Sequence, residues 1–505
     1  MNRKIFLLLS IWILLLQTDD LQGQQILSGS AMGAGGAGTV VGGGHESIFT
    51  NPANLIDGYP GSDRDRRTVS LMAGGIQFDS PAPIGSAGDL QTVLNEWIRG
   101  YVPGGSARYP LEAEDHLSRN FPHPSNPSAH QIRGEWHWLG LQWDRGTRSY
   151  AIGLRSRFAN RITSGRGLYD NTPVQVDGIW TVDRSSTTYF HALHELSFGF
   201  AEPVTFLNGI LPGLSQFVIG IAPKLVVGGS YQSTAWSDRF TRPDPTTSWT
   251  RTRSLTSYTT GPFSRQHEQY LSGGSHIPER SELFGQGGWG AGLDVGLNWV
   301  TPLGRDFSWI ESGNAPPSTL QISVSFLDIG MIYYRDHPVQ RRIDEWTVSP
   351  DSPPAPAEQI FMGRPGEQLP FHLDQGTDLL DGSITESSNL LVLLPSTIQT
   401  GVAWRHHEWT VSSDLALGLT DDAFNSDRLL GFLGVEYRIR PEIPLRMATR
   451  LSHHQHDYLA IGTGWMGEQL EFSITVQLRS HWGIPSRELN GWSVGALRWT
   501  FPTSR

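Results

Sequence analysis

Between Gly288 and Thr301 the chain alternates with period two along its whole length. Trp289, Ala291, Leu293, Val295, Leu297 and Trp299 fall on one side; Gly290, Gly292, Asp294, Gly296 and Asn298 fall on the other. Successive side chains of a β-strand point to opposite faces. The segment therefore predicts a strand with one apolar face and one small or polar face. Its two tryptophans lie ten residues apart on the apolar face. At roughly 3.3 Å per residue and a tilt of about 40°, they differ in height by about 25 Å. That is the height of the lipid-facing band between the two aromatic girdles of a transmembrane β-barrel. A soluble sandwich has no reason to place Trp at both limits of its apolar face.

Similar runs recur at 69–77, 135–144, 149–158, 188–200, 216–228, 319–329, 396–405, 408–419, 429–438, 444–451, 458–465, 469–478 and 491–501. Phe190, Ala192, Leu196, Phe198 and Phe200 form one outward set, with His194 as a polar exception. With 288–301 these runs predict an all-β, antiparallel transmembrane barrel of about 14 strands. The connections support the count. The odd-numbered ones include 78–134, 159–187, 229–287 and 330–395, whereas the longest even-numbered ones are 201–215 and 302–318. Long loops on one side and short turns on the other are the asymmetry of outer-membrane barrels, and both termini then lie in the periplasm. The long loops are rich in Pro, Ser, Thr, Arg and Asp and read as loosely packed surface loops. Leu390 to Leu394 is an apolar exception, either an extension of strand eight or a hydrophobic patch near the outer mouth.

Composition agrees with a membrane barrel and excludes other classes. After Ile5–Leu16 no apolar run is long enough for a transmembrane helix. Residues 1–23 read as a signal peptide, with Arg3 and Lys4 ahead of that apolar run. The formal net charge is −11, with only two lysines, Lys4 and Lys224, which argues against a nucleic-acid partner. There is no Cys, so disulfides and Cys-based metal centres are excluded.

Residues 24–68 do not alternate. Gly33–Gly38 fits G-x-G-x-x-G on paper, but it follows a signal rather than a βα unit, so no dinucleotide role is expected. A glycine-rich stretch just after the signal, followed by Asn51-Pro52-Ala53-Asn54, resembles the FadL/TodX family of outer-membrane transporters and the related PorV-like barrels. The resemblance is specific over about residues 28–56. It implies that residues 24–68 form a periplasmic-side plug, or hatch, in which Asn51, Pro52, Ala53 and Asn54 take part, and that residues 69–505 form the barrel. It further implies either passive transport of a small hydrophobic ligand or, by the PorV-like branch, a shuttle for a secreted protein partner. A structural or adhesive barrel is a third reading.

No Ser elbow or other catalytic constellation is evident, so no enzyme and no cofactor are expected. His453, His454 and His456 cluster next to Asp457, as a metal site or as an ordinary polar loop would. The apolar face is expected to carry an aromatic girdle of Trp289, Trp299, Trp404 and Trp409, set against outer-membrane lipid. On the opposite parity, Arg155, Arg157, Glu195, Lys224, Asp294, Glu436 and Arg446 are expected to face the lumen. There they either line a wet passage or pair across the interior.

Overall fold

The structure is a computed structural model of the 505-residue chain. It describes residues 38–40, 42–56, 66–79, 128–168, 172–205, 215–244, 246–265, 285–303, 318–348, 383–386, 389–425, 429–451, 457–467, 469–481 and 484–502. The expected signal segment, most of Gly33–Gly38 and the His453/His454/His456 cluster lie outside these residues.

The wall is a single antiparallel sheet closed on itself. Its strands are β1 (Arg66–Asp79), β2 (Ser128–Arg145), β3 (Arg148–Ser164), β4 (Ser186–Pro203), β5 (Gln216–Arg242), β6 (Gly288–Pro302) and β7 (Ser318–Tyr334). They continue with β8 (Leu390–Leu393 and Thr397–His406), β9 (Trp409–Gly418), β10 (Leu429–Arg440), β11 (Ile443–Leu451), β12 (Asp457–Met466), β13 (Leu470–His481) and β14 (Ile484–Val494 and Leu497–Pro502). Each pairs with the next, and β1 closes the ring on β14 through Arg67↔Phe501, Val69↔Trp499 and Gly75↔Ser493. Among the described residues the circuit has fourteen positions, as the alternation predicted. Closure matters physically, because it leaves no unpaired backbone edge to be buried in lipid.

The strand ends differ from the expected ones. Several wall strands overrun the predicted lipid-facing runs on the long-connection side, most of all β5, which is 27 residues long. Its upper half pairs with Thr250–Thr259, which pairs with Val339–Val348, which pairs in turn with Ser383–Glu386. Ile179–Asp183 joins the other edge of β5. The described parts of these connections are therefore hydrogen-bonded sheet rather than loose loop. Polar residues hid them, since a strand outside the membrane has no lipid face to fill. On the opposite side the β2–β3, β8–β9 and β10–β11 turns are tight. Gly146, at φ 61°, supplies the left-handed residue of the two-residue β2–β3 hairpin.

The outer face is apolar. Leu71, Leu141, Leu154, Phe198, Ile221, Leu293, Phe326, Leu433, Ile461 and Ile474 are all exposed, distributed around the ring. An apolar surface that continuous is incompatible with water on all sides. No helix among the described residues is long and apolar enough to cross a membrane.

Candidate functional site

The inward face is filled in layers. Nearest the short turns lies the N-terminal segment. Asn51 caps the short 3₁₀ turn Pro52–Leu55, its side-chain oxygen accepting from Ala53 N at 3.1 Å. Proline stands at the first turn position, where its missing N–H costs nothing. The capped turn aims two amides at the wall. Asn51 Nδ2 donates to Asn298 Oδ1 at 2.8 Å, and Asn298 Nδ2 donates to Asn54 Oδ1 at 2.7 Å. Gln321 Nε2 adds a third bond to Asn54 Oδ1 at 3.0 Å, and Ser323 donates to Asn298. Beside this polar contact, Ile48, Phe49, Ala53 and Leu55 pack on Ala151, Ala201, Val218 and Ala222 of the wall. The wall makes room with glycine. A Cβ at Gly140 would meet the His45 ring, at Gly199 it would meet Ile48, and at Gly220 it would meet the Pro52–Ala53 backbone. His45 is buried and, among the described residues, has no hydrogen-bond partner at either ring nitrogen. Burial, with smaller contributions from His137 and Arg498 and against the pull of Glu46, lowers its pKa to about 3.

Above this segment lies an ionic layer. Arg155 pairs with Glu195 at 2.6 Å and with Glu135 at 3.3 Å. Arg157 pairs with the other oxygen of Glu195 at 2.6 Å and with Asp328 at 2.8 Å. Lys224 bridges Asp294 and Asp328, both at 2.6 Å. His137 hydrogen-bonds Glu135 at 2.7 Å. All of these groups are buried, and a charge so far from water is tolerable only when paired. The layer is sandwiched between rings: Phe49 of the N-terminal segment lies 4.3 Å from Arg155 Cζ, and Phe424 lies 4.8 Å from Arg157 Cζ.

The third layer is apolar and lies toward the long connections. Leu193, Val226, Ile332, Tyr334, Leu394 and Phe424 are its larger buried members, with Tyr189, Tyr231, Leu390 and Val392 packed against them. Asp422 holds the Phe424 loop by accepting from Phe424 N and Asn425 N at 2.7 and 2.8 Å. Leu390–Leu393 is the upper part of β8, paired with Met331–Tyr334. Its alternate residues Leu391 and Leu393 face outward, so the segment contributes to both surfaces.

Five of the seven expected lumen residues, Arg155, Arg157, Glu195, Lys224 and Asp294, meet in the ionic layer. Glu436 and Arg446 pair with each other at 2.8 Å, nearer the short turns. Trp289, Trp404 and Trp409 are exposed on the outer face, and Trp299 is half-buried there. Three members of the ionic layer escaped the alternation. The ladder slips between Phe326 and Ile329, and Asp328 sits in that bulge at φ 58°. A second slip between His137 and Leu139 reverses parity within β2, which turns Glu135 and His137 inward. Among the described residues no group of three His, Asp or Glu is placed to hold a metal ion.

A closed barrel with an apolar outer face and a packed, charged interior is a transmembrane β-barrel of the outer-membrane type. The chain belongs to the family of unknown function DUF5723, whose pattern matches residues 125–473. No curated protein sequence matches it. Among solved structures it is similar to the Pseudomonas putida toluene transporter TodX, at 9% identity over 95% of this chain and 99% of that one, with a TM-score of 0.40. It is also similar to the Ralstonia pickettii toluene transporter TbuX, at 8% identity over 95% and 99%, with a TM-score of 0.39. A third is the CymD monoaromatic hydrocarbon channel, at 8% identity over 95% and 98%, with a TM-score of 0.37.

Proposed function

We propose that this chain is a hatch-gated barrel of the outer membrane that passes a small hydrophobic molecule, with the N-terminal segment as the hatch. The observation that carries the reading is the apolar third layer. A barrel that served only as a rigid wall could fill its outer interior with paired polar groups, as it does one layer below. Instead, Tyr231, Tyr334, Leu193, Val226, Ile332 and Leu394 face inward beneath a loop that places Phe424 among them. An apolar ligand entering from the long-connection side meets this surface first. The Asn51–Asn54 turn closes the other end through side-chain amides and small-residue packing, contacts that can break without unfolding the wall. In this reading Trp289, Trp299, Trp404 and Trp409 anchor the barrel at the two lipid interfaces.

The test is flux into liposomes carrying the purified barrel, with monoaromatic hydrocarbons and sugars of similar size as permeants. Protein-dependent hydrocarbon flux, reduced in a Leu193→Gln/Ile332→Gln double variant that still folds, is the expected result. Flux of sugars alone, or no protein-dependent flux of either, would refute it.

A further inference from the structure

At the short-turn end the N-terminal segment does not touch the whole circumference. Between residues 42–46 and the inner faces of β8, β10, β11, β13 and β14 lies a cavity of about 130 Å³. Its charged lining is Arg405, Arg438, Arg446 and Arg498 against Glu46, Glu436 and Glu471, four positive groups to three negative. Among the described residues, two of the arginines have donors without an acceptor. Arg446 is 4% exposed; its Nε donates to Glu436 and its Nη2 contacts Met466 Sδ, but its Nη1 is buried with no acceptor. Arg498 donates from Nη1 to Glu471 at 2.6 Å and from Nη2 to Gly43 O at 2.8 Å, while its buried Nε has no acceptor. A buried guanidinium N–H without an acceptor is costly, and here two such groups belong to side chains lining one cavity that already has a cation in excess.

We infer that this cavity is a binding site for a small oxyanion, a carboxylate or a phosphate, which accepts from Arg446 and Arg498 together once a turn of each guanidinium brings its spare N–H to the cavity surface. Arg498 also ties the wall to the hatch: its guanidinium lies against Gly44, where φ is 73° and a Cβ would collide with it. An anion bound here therefore joins β11 and β14 to the segment that closes the barrel. The inference does not depend on what crosses the barrel.

The experiment is calorimetric titration of the purified full-length barrel in detergent with sodium phosphate and, separately, sodium acetate, at matched ionic strength. Saturable binding of phosphate, acetate or both is expected; binding of one alone identifies the class. Arg446→Gln should weaken it by about tenfold or more, as expected for one lost charge-assisted hydrogen bond. Glu471→Gln should tighten it, because it removes the negative charge that competes with the ligand for Arg498 and leaves only a neutral acceptor. Retained heat-modifiable migration on gels shows that each variant is folded. Absence of saturable heat with both anions, or affinity indifferent to both substitutions, would overturn the assignment.

Discussion

Gly220 offers the sharpest test of the proposal that the N-terminal segment is a seated hatch. It lies on the inward face of β5, and a Cβ there would collide with the carbonyl of Pro52 and the amide of Ala53. These are backbone atoms of a turn whose first residue is proline, so no rotamer change can relieve the clash. Either the wall bends or the hatch lifts. The wall strand is hydrogen-bonded on both sides, Gly220↔Ala201 and Gly220↔Gly296, whereas the hatch is held by side-chain contacts. The hatch is therefore the part that moves. Overpacking costs typically 1–3 kcal/mol, and contact between backbones belongs at the upper end, about 3 kcal/mol. That lowers the ratio of seated to unseated hatch roughly 150-fold. In planar bilayers Gly220→Val should show more frequent or longer openings than the parent, and hydrogen exchange at residues 44–55 should accelerate while the wall amides stay protected. Gly296→Ala should have a smaller effect, because its Cβ meets chiefly the Asn51 side-chain oxygen, which can turn aside at the cost of its bonds to Ala53 and Asn298 rather than by moving backbone. A folded Gly220→Val barrel with unchanged conductance and unchanged hatch exchange would refute the seating geometry.

Lys224→Met removes one of three cations from the ionic layer and leaves Asp294 facing Asp328; urea titration in lipid vesicles should show a loss of about 3–5 kcal/mol, much of it restored by Asp294→Leu. Ile461→Arg, on the lipid face, should cost about 2–4 kcal/mol in the same assay, while Leu445→Arg near the short-turn rim should cost about 0–1; equal costs would argue against a membrane at that depth. Acidification should loosen the hatch. His45 is neutral when seated, with its pKa lowered to about 3, and binds a proton more readily when released, near its ordinary 6.5. Seating is therefore strongest above that ordinary value and weakens as pH falls toward the seated one, by up to about tenfold per pH unit; His45→Phe should flatten the hatch-exchange profile over that window. Finally, Phe49→Ala and Phe424→Ala should be non-additive by more than about 0.5 kcal/mol, since both rings rest on guanidiniums bridged by Glu195.

The wall was legible because lipid imposes a pattern on it. Gly288–Pro302 begins where the alternation predicted and ends one residue beyond, because every second residue had to be apolar between two tryptophans. The sheet beyond the lipid has no such demand, and Thr250–Thr259 and Val339–Val348 carried no readable period. In the interior, parity found Arg155, Arg157, Glu195, Lys224 and Asp294 and then failed at two bulges. At Asp328 the bulge places the residue that joins Arg157 to Lys224. The irregularity is what lets β7 bring a carboxylate to a point that regular alternation would have given to its neighbour. Of the contact between the N-terminal segment and the wall, Asn51 and Asn54 stood out in the sequence as a motif, whereas their partners Asn298 and Gln321 read as ordinary inward polar residues.

The layers also constrain how the two ends of the interior can act on each other. Phe49 enters from the hatch and Phe424 from the loop, and neither touches the other; each covers one guanidinium. Glu195 holds both guanidiniums, one on each carboxylate oxygen, so neither can move far without the other losing a partner. Lys224 extends the same constraint to β6 and β7 through Asp294 and Asp328. Exposing any member to an apolar surroundings would leave a buried charge unpaired, which is far more costly than displacing a phenyl ring. The movable parts are therefore the aromatic residues and the segments that carry them, while the ionic layer stays fixed.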